Sequence, residues 1–496
     1  MVRQGPGQAR CVTPIWVIGA FVIGFVLFFS SPCTPQAASP HKFSSLAGLP
    51  DIVFVQTPLI ASGRLSHRFP QGSVIARFTP SQGTSSLVRL TEGFFAAADP
   101  QISFDGTRIL FSGQKTAGDH WQIWEMDLTG EHKRQITQCS QDCLRPAYLP
   151  ADEIVLTVEE SPTLATYLAV AKTDGSQFHR ITFGNAPFLL ETVLKDGRIV
   201  ASAPWPLTAS DSPRTTRLFY TLRPDGTALE SFRCDHAKKG SQTNPSELSD
   251  GSLVFIRTSA ASLTSGGRLM KVAQGALTEI PLGTPDSVIA WPQPLSEKLL
   301  VVAKQSAAAS KTGRFDLYLL DLPTGMVTKR VYTGTQLSSI EPTPVLSRAI
   351  PKRYWDTLDP SSATANLISL NSYMSADAPR GRITTPIARV RVFALDTASG
   401  QERNLGEAPV EADGSFFVKV PANSPVRFTL LDAQGHTIRE EHSWIWARPG
   451  EQRGCTGCHG DKAIAPDNHW PQTLRRFDTP TPLGEIDHGP ATIQAK

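Results

Sequence analysis

The sequence lacks the signatures by which many hydrolases are recognised. It contains no Gly-x-Ser-x-Gly segment and no His-Glu-x-x-His segment, so neither a serine-hydrolase elbow nor a zincin site is indicated. Charged residues make up 19% of the 496 residues, and the formal net charge is only +3. This near balance argues against a nucleic-acid-binding surface. The 39 prolines and 37 glycines, in contrast, indicate a chain rich in turns and a mostly β fold.

Long apolar runs are also scarce. One extended run, residues 15–29, lies near the N-terminus and follows two arginines, Arg3 and Arg10. With the small residues that follow, this run predicts an export signal over residues 1–38 and a periplasmic or other extracytoplasmic location. Counted as residues 12–30, the run could instead remain as a membrane anchor, and both alternatives stay open. Cys33 follows a proline rather than the small residue expected before a lipidated cysteine, which disfavours a lipoprotein.

Two of the seven cysteines carry the strongest chemical signal of the chain. Cys455, Cys458 and His459 form a C-x-x-C-H segment, in which two thiols can bind the vinyl groups of a porphyrin while the histidine binds its iron. A zinc site would ordinarily pair one C-x-x-C with a second cluster, and the sequence has none. A redox dithiol is the remaining alternative. The segment therefore predicts one covalently bound haem c.

The second axial position of that iron decides between electron transfer and ligand activation. His469 lies ten residues after His459 and is the first candidate donor, since its segment is long enough to reach around a haem edge. His442, His488 and Met374 are weaker candidates. Most single histidines are solvated or structurally satisfied, so we expect an open or weakly ligated iron.

The body of the chain repeats in units of four short strands. One series of turns recurs at steps of about 45 to 54 residues, and a second series follows it at similar steps. The first series lies at Asp105-Gly106, Asp152-Glu153, Asp196-Gly197, Asp250-Gly251 and Ser296-Glu297, and the second at Gly130, Gly175, Gly226, Gly275 and Gly325. Five such units, with a degenerate sixth from residues 52–90, predict a six-bladed β-propeller over residues 51–346.

A different organisation is predicted after the repeats. A proline-rich linker occupies residues 347–365, and alternating apolar and polar residues then indicate a small β-sandwich over 366–447. The C-terminal residues 448–496 form the c-type haem-binding segment. The predicted fold is thus all-β throughout. A local disulfide between Cys139 and Cys143 is compatible with an oxidising compartment, although their spacing only permits it.

A family resemblance is carried by residues that surround the C-x-x-C-H segment. The sequence resembles hydrazine synthase alpha-subunit-like proteins in five places: the run 409–416, the dipeptide Leu431-Asp432, the motifs Trp444-Ile445-Trp446 and Arg448-Pro449-Gly450-Glu451, and the segment 455–459. The repeat at 100–130 resembles TolB-type propellers. The resemblance implies an exported cytochrome in an oxidoreductase-like complex, with Cys455 and Cys458 carrying haem. It does not imply hydrazine synthesis, because the sequence has no second C-x-x-C-H segment and has Asn468-His469 where the family commonly has arginine.

Two classes of function follow from these observations. In the first, the protein is a mono-haem electron-transfer or redox-catalytic subunit whose propeller is a docking platform for a redox partner protein or for other subunits. In the second, a non-enzymatic exported propeller binds a partner, and the haem is sensory or structural. We favour the first, and the sequence leaves enzymatic activity itself undecided.

Overall fold

The computed structural model describes most of the chain after the predicted leader. The described residues are 46, 48–58, 64–82, 86–160, 165–208, 216–233, 240–258, 266–273, 276, 278–285, 287–306, 313–375, 378–457 and 468–483. The predicted leader or anchor, Cys33, Cys458, His459 and His488 therefore lie outside the described residues. Within the described part, no helix is both long and apolar enough to cross a membrane.

The described chain is built almost wholly of β-strands, which confirms the all-β prediction. Short 3-10 helices lie at Leu65–His67, Pro80–Gln82, Pro379–Gly381 and Gln472–Arg475. The strands up to residue 344 are β1 Ile52–Thr57, β2 Val74–Phe78, β3 Leu87–Arg89, β4 Ala96–Ile102, β5 Arg108–Gln114, β6 Gln122–Asp127, β7 Arg134–Gln135, β8 Asp142–Leu149, β9 Glu153–Glu159, β10 Thr166–Lys172, β11 His179–Arg180, β12 Leu189–Val193, β13 Ile199–Pro204, β14 Arg217–Leu222, β15 Glu230–Ser231, β16 Ser241–Glu247, β17 Leu253–Thr258, β18 Arg268–Val272, β19 Ile280–Pro281, β20 Ile289–Pro294, β21 Leu299–Gln305, β22 Phe315–Asp321, β23 Met326–Tyr332 and β24 Ser338–Pro344.

These strands form antiparallel sheets of four, in the propeller-type arrangement. Five sheets use consecutive strands, β4 to β7, β8 to β11, β12 to β15, β16 to β19 and β20 to β23, and the remaining one has the order β24-β1-β2-β3. The terminal strands β24, β4, β8, β12, β16 and β20 contact one another in this order, and β20 contacts β24 again. Each sheet buries apolar residues against its neighbours on both faces, as in the fully buried run Ile52-Val53-Phe54-Val55 of β1.

The described turns of the sheets lie where the two sequence series place them, whereas Gly275 of the second series lies outside the described residues. Residues 103–107 join β4 to β5, and Gly130 joins β6 to β7, with φ values of +78° at Gly106 and +84° at Gly130. These left-handed conformations are readily adopted by glycine, which explains the recurrence of Asp-Gly. Cys139 and Cys143 form a disulfide. Cys139 lies in the loop between β7 and β8, and Cys143 is the second residue of β8.

The C-terminal strands form two further four-stranded sheets. They are β25 Thr364–Ser369, β26 Arg389–Leu395, β27 Glu402–Pro409, β28 Phe416–Pro421, β29 Val426–Leu431, β30 Thr437–Glu440, β31 Gln452–Cys455 and β32 Thr481–Pro482. One sheet has the order β31-β25-β28-β32 and the other β27-β26-β29-β30, with a shared apolar core that includes Val390, Val418 and Leu430. β31 and β32 come from the predicted haem segment, and they pair in parallel with β25 and β28.

The predicted linker packs along the turns of the N-terminal sheets. The Arg348 amide donates to the carbonyl of Phe104 at 2.8 Å, and the Lys352 amide donates to that of Lys195 at 3.2 Å. At Gly197, a Cβ atom would lie 2.0 Å from the carbonyl oxygen of Lys352, so this turn must be glycine for the linker to pass. The linker is therefore held by specific backbone contacts over part of its length.

Candidate functional site

Cys455 lines a cleft between the N-terminal sheets and the C-terminal sheets. The cleft has a volume of about 230 Å³. Most of its wall is apolar, and its lining residues are Trp205, Leu207, Tyr220, Leu229, Glu230, Ser231, Leu367, Ile368, Ser369, Phe416, Phe428, Glu441, Ser443, Ile445, Arg453, Cys455 and Gly457. An apolar concave site with few polar groups is the usual form of a small-molecule or cofactor site.

Strand β31 fixes the position of Cys455. Its backbone pairs with Ser369 of β25, and its carbonyl accepts a hydrogen bond from the Leu370 amide at 2.9 Å. The cysteine is a free thiol and is partly exposed. Two residues on, a Cβ at Gly457 would lie 2.7 Å from the carbonyl oxygen of Met374, so the C-x-x-C loop packs closely against the 371–374 turn. Of the predicted haem-binding residues, Cys455 lies in the described part of the chain, and Cys458 and His459 lie outside it.

Residues 443–453, here called the docking segment, join the C-terminal sheets to the N-terminal ones. Trp446 is fully buried, and its ring packs edge-on against Phe188 with centroids 5.4 Å apart. Its indole nitrogen donates to the carbonyl of Gly226 at 3.3 Å. Trp446 belongs to the same apolar cluster as strands β12 to β14, although it is far from them in sequence. The docking segment therefore fixes one wall of the cleft relative to the other.

Two arginines of the docking segment reinforce this attachment. Arg448 donates through Nε to the carbonyl of Asp225 at 2.8 Å, and its guanidinium lies 4.6 Å from the centre of the Phe183 ring. Arg453 donates to the carbonyls of Trp446 and Leu229, one on each side of the junction. The Trp-x-Trp and Arg-Pro-Gly-Glu motifs, singled out for their family resemblance, thus serve the contact between the two parts of the chain.

Tyr220 lies at the cleft wall, but its hydroxyl is enclosed within the protein. It lies on β14, is only 3% exposed, and its hydroxyl has no hydrogen-bond partner among the described residues. Burial, and secondarily the nearby Glu441 carboxylate, raise the pKa of Tyr220 well above its ordinary value, so the hydroxyl keeps its proton. Sequence analysis missed Tyr220, because no motif marks it.

His469, the candidate second axial ligand, contacts a carboxylate outside the cleft lining. Its Nε2 lies 3.1 Å from Oδ2 of Asp413, which also accepts the Gln472 amide at 2.8 Å. Burial alone would raise the pKa of Asp413, but hydrogen bonds from Ser415, Gln472 and His469 hold it below its ordinary value. His469 is 37% exposed and is not among the described residues that line the cleft. His442 and Met374 are also absent from that lining.

A second, larger cavity lies among the terminal strands of the N-terminal sheets and is here called the channel. Its volume is about 630 Å³. Each terminal strand has a register shift, and the residues at these positions all line the channel: Asp99, Arg145, Glu191, Asn244, Trp291 and Glu341. All but Glu191 have φ between +47° and +55° and precede a proline. This repeated X-Pro step is a sequence signal that the turn series alone did not reveal.

The charged residues of the channel bind one another. Glu341 accepts the Asp99 amide at 2.8 Å, and Asp99 accepts the Arg145 amide at 3.1 Å. Arg145 in turn pairs with Glu191 at 2.9 Å, and Arg68 pairs with Asp99. Burial and the neighbouring Asp99 raise the pKa of Glu341 to about 7, against the opposing effect of Arg68. This series of contacts thus joins neighbouring sheets through their terminal strands.

Comparison with known proteins gives the cleft a family context. A family model described as the hydrazine synthase alpha subunit middle domain matches residues 374–460. Hydrazine synthase subunit alpha of Kuenenia stuttgartiensis is 31% identical over 165 residues, which are 30% of this chain and 20% of that protein. This chain is similar to the hydrazine synthase alpha subunit, most specifically to its middle domain at residues 374–460. The matched part spans only a fifth of the length of that relative.

Solved structures agree with this assignment at the level of the fold. Hydrazine synthase from Kuenenia stuttgartiensis superposes with a TM-score of 0.74 at 19% identity, over 86% of this chain and 71% of that chain. TolB from Acinetobacter baumannii gives a TM-score of 0.44 at 13% identity, over 62% of this chain and 69% of that chain, a likeness too weak to bear on function. The family match begins at Met374 and includes the docking segment and Cys455.

Proposed function

We propose that this protein is an exported mono-haem c-type cytochrome that acts as an electron-transfer or redox-catalytic subunit. The observation that supports this most directly is the position of Cys455, which lies inside the region matched to the hydrazine synthase alpha subunit and lines a mostly apolar cleft. When bound, haem would supply one-electron chemistry or a site for an iron ligand.

The residues present fit a haem at this position. Cys455 and Cys458 would hold it through thioether bonds, and His459 would be an axial ligand. Leu367, Ile368 and Phe416 line the same cleft as Cys455, and an apolar wall suits a porphyrin face. The close packing of Gly457 against Met374 would hold the attachment loop in one place.

The architecture proposed around this site is that of the sequence analysis. We assign residues 51–346 to a six-bladed propeller, 347–365 to a linker, 366–447 to a β-sandwich and 448–496 to the haem-binding segment. The ring of contacts among the terminal strands supports the blade number, because it returns from β20 to β24. The propeller then offers a platform for a redox partner or for further subunits.

An extracytoplasmic location completes the proposal. The Cys139–Cys143 disulfide is of the kind that persists in oxidising compartments, and c-type haem attachment suits the same location. Residues 1–38 would act as the export signal or, through residues 12–30, as an anchor. A periplasmic or other envelope compartment is the expected site.

Haem staining of the purified protein on a denaturing gel tests this function. The wild-type protein should stain and should show one haem per chain by its pyridine haemochrome spectrum. Replacing Cys455 and Cys458 with alanine should abolish the stain, whereas the matched double replacement of Cys139 and Cys143 should keep it. A colourless protein that holds one zinc ion per chain would contradict the proposal.

A further inference from the structure

One carboxyl group of the channel lacks a full set of hydrogen-bond partners. Oε2 of Glu341 accepts the Asp99 amide at 2.8 Å. Oε1 has no hydrogen-bond donor among the described residues, and it lies 3.9 Å from Nη2 of Arg68, which donates to Asp99 instead. Glu341 is only 8% exposed. Buried carboxylates are ordinarily paired and hydrogen-bonded, so a free oxygen here is a sign that the channel holds a donor for it.

The free oxygen of Glu341 can be reached from the channel, which Glu341 lines. The fully enclosed polar atoms without a partner include Nε of Arg68 and Oδ1 of Asn244, but Oε1 of Glu341 is not one of them. A molecule inside the channel can therefore donate to Oε1, whereas the two enclosed atoms are beyond its reach. The channel volume of about 630 Å³ lies within the range typical of small-molecule sites.

The charges at the register shifts favour a cation in the channel. Asp99 and Glu191 are each paired with an arginine, Arg68 and Arg145 respectively. Paired groups of this kind offer little to a ligand. Glu341 is thus the acid in excess at this level of the channel, and an anion beside it would be repelled.

The other charged residues of the channel lining do not offset this excess. They are two acids and two bases, namely Glu247, Glu297, Lys195 and Arg348. The Lys195 amide donates to Glu247 at 2.6 Å, and Arg348 donates to the carbonyl of Ile102 at 2.6 Å. Strands β1 and β20, on either side of β24, contribute no charged residue. A ligand with one positive charge would therefore bring the lining to neutrality.

We propose that the channel binds a small organic cation, an ammonium or guanidinium compound, whose N–H group donates to Oε1 of Glu341. Trp291 lines the same cavity from the neighbouring strand β20, and tryptophan is the side chain whose ring attracts cations most strongly. This site is separate from the proposed haem site and does not need haem. It gives the N-terminal sheets a binding function of their own.

Isothermal titration calorimetry of the purified full chain with butylguanidinium tests this proposal. Butylurea, which has a similar shape without the charge, should bind at least about 10-fold more weakly at pH 8, the equivalent of one hydrogen bond to a charged group. Glu341→Gln should lower the affinity for butylguanidinium by a similar factor, because the amide keeps the size of the side chain and removes its charge. The matched Glu297→Gln variant, which removes an exposed acid of the lining, should change the affinity by less than about 3-fold.

The pH dependence of binding gives a second measurement that needs no variant. Burial and Asp99 raise the pKa of Glu341 to about 7, against the opposing effects of Arg68 and Arg145. A cation at Oε1 favours the ionised carboxylate and must displace its proton. The affinity for butylguanidinium, whose own charge stays constant, should therefore rise about 10-fold from pH 6 to pH 8. About half a proton per chain should be released on binding at pH 7, as buffers of different ionisation enthalpy would report.

Three outcomes would overturn the proposal. They are no binding of butylguanidinium at pH 8, equal affinity for butylurea, and an affinity that ignores both pH and Glu341→Gln. Each would leave a water molecule as the partner of Oε1. The haem enters none of these measurements, so a protein without haem that binds the cation contradicts only the proposed function, and a haem protein that does not bind it contradicts only the channel site.

Discussion

The channel and the cleft are two cavities of one chain, and they differ in how many charged groups line them. In the channel, Glu341, Asp99, Arg145 and Glu191 form a continuous series of contacts with one another and with backbone amides. In the cleft, the walls are mostly apolar, and the buried hydroxyl of Tyr220 has no partner within the described part of the chain. The channel thus joins the terminal strands through paired charges, although Arg68 Nε and Asn244 Oδ1 have no partner among the described residues, whereas the wall of the cleft is mostly apolar.

The difference shows that volume alone does not identify a site. Those charges of a polar cavity that are already paired gain little from a ligand, because the ligand would have to replace existing contacts. A mostly apolar cleft gains apolar burial when it is filled. The position of Cys455 in the second kind of cavity is what gives the C-x-x-C-H segment its proposed role.

The largest effect that would test the structural role of the channel is expected from Glu191→Ala. Glu191 is fully buried and accepts from Arg145, Ser202 and the Asn244 amide. Its loss leaves the mostly buried Arg145 charge unpaired, which should lower the free energy of unfolding by about 3–5 kcal/mol. Chemical denaturation measures this value.

A double variant provides the control for that prediction. Adding Arg145→Met should recover part of the lost stability, because the unpaired charge is removed together with its partner. If Glu191→Ala lowers the free energy of unfolding by less than about 1 kcal/mol, as for an exposed ion pair, the channel is not the junction described here.

The pH dependence of the stability tests the same series of channel contacts through Glu341. Burial and Asp99 raise the pKa of Glu341 to about 7 in the folded protein, above the unfolded value of 4.5. The folded state therefore holds the proton more tightly, and the resulting stabilisation is complete below about pH 4.5 and is lost as the pH rises to about 7. The loss should be on the order of 3 kcal/mol.

The Glu341→Gln variant should flatten this part of the profile, because the amide cannot titrate. Its stability should resemble that of the wild type at the acidic end of the window. A wild-type profile that rises between pH 5 and 7, or a variant with the same slope as the wild type, would contradict the raised pKa.

On the cleft side, a matched pair of glycines tests the attachment loop. At Gly457, a Cβ would lie 2.7 Å from the Met374 carbonyl oxygen, whereas at Gly454 the nearest atom is Cγ2 of Ile368 at 3.7 Å. Gly457→Ala should therefore destabilise the protein by about 1–3 kcal/mol through overpacking and should lower its haem content. Gly454→Ala, three residues away, should be tolerated. Equal haem content in the two variants would show that the loop does not depend on this packing.

Much of the fold could be predicted from the sequence because its signals are local. Asp105-Gly106 and Gly130 mark turns through their own backbone preferences, and both turns join the strands that the repeats predict. The C-x-x-C-H segment is likewise readable from three nearby residues. The shared position of Asp99, Arg145 and Glu341 could have been suspected from the recurring X-Pro steps, but their ion pairs with Arg68 and Glu191 depend on contacts across the sheets.

The rest of the candidate site depends on contacts that are distant in sequence. Tyr220 and Cys455 line one cleft although 235 positions separate them, and no periodicity relates them. The role of Trp446 in the core of the N-terminal sheets is hidden for the same reason, since its motif is read within the C-terminal region. Sequence patterns report which face of a strand is apolar, but not which distant segment covers it.

The smallest effect is expected from His469→Ala, which decides whether the cleft includes this histidine. Its Nε2 contacts Asp413 at 3.1 Å, and a partly exposed pair of this kind contributes less than about 1 kcal/mol. Because His469 is not among the described residues that line the cleft, its removal should leave the visible spectrum of the haem protein nearly unchanged. Carbon monoxide should still bind the ferrous protein and shift its Soret band. A histidine that ligates a metal often donates a hydrogen bond from its other ring nitrogen to a carboxylate. The contact with Asp413 is therefore compatible with either role of His469, and the spectrum decides between them. A low-spin wild-type spectrum that ignores carbon monoxide and becomes high-spin in the variant would make His469 the second axial ligand, and the protein would then belong with the electron carriers.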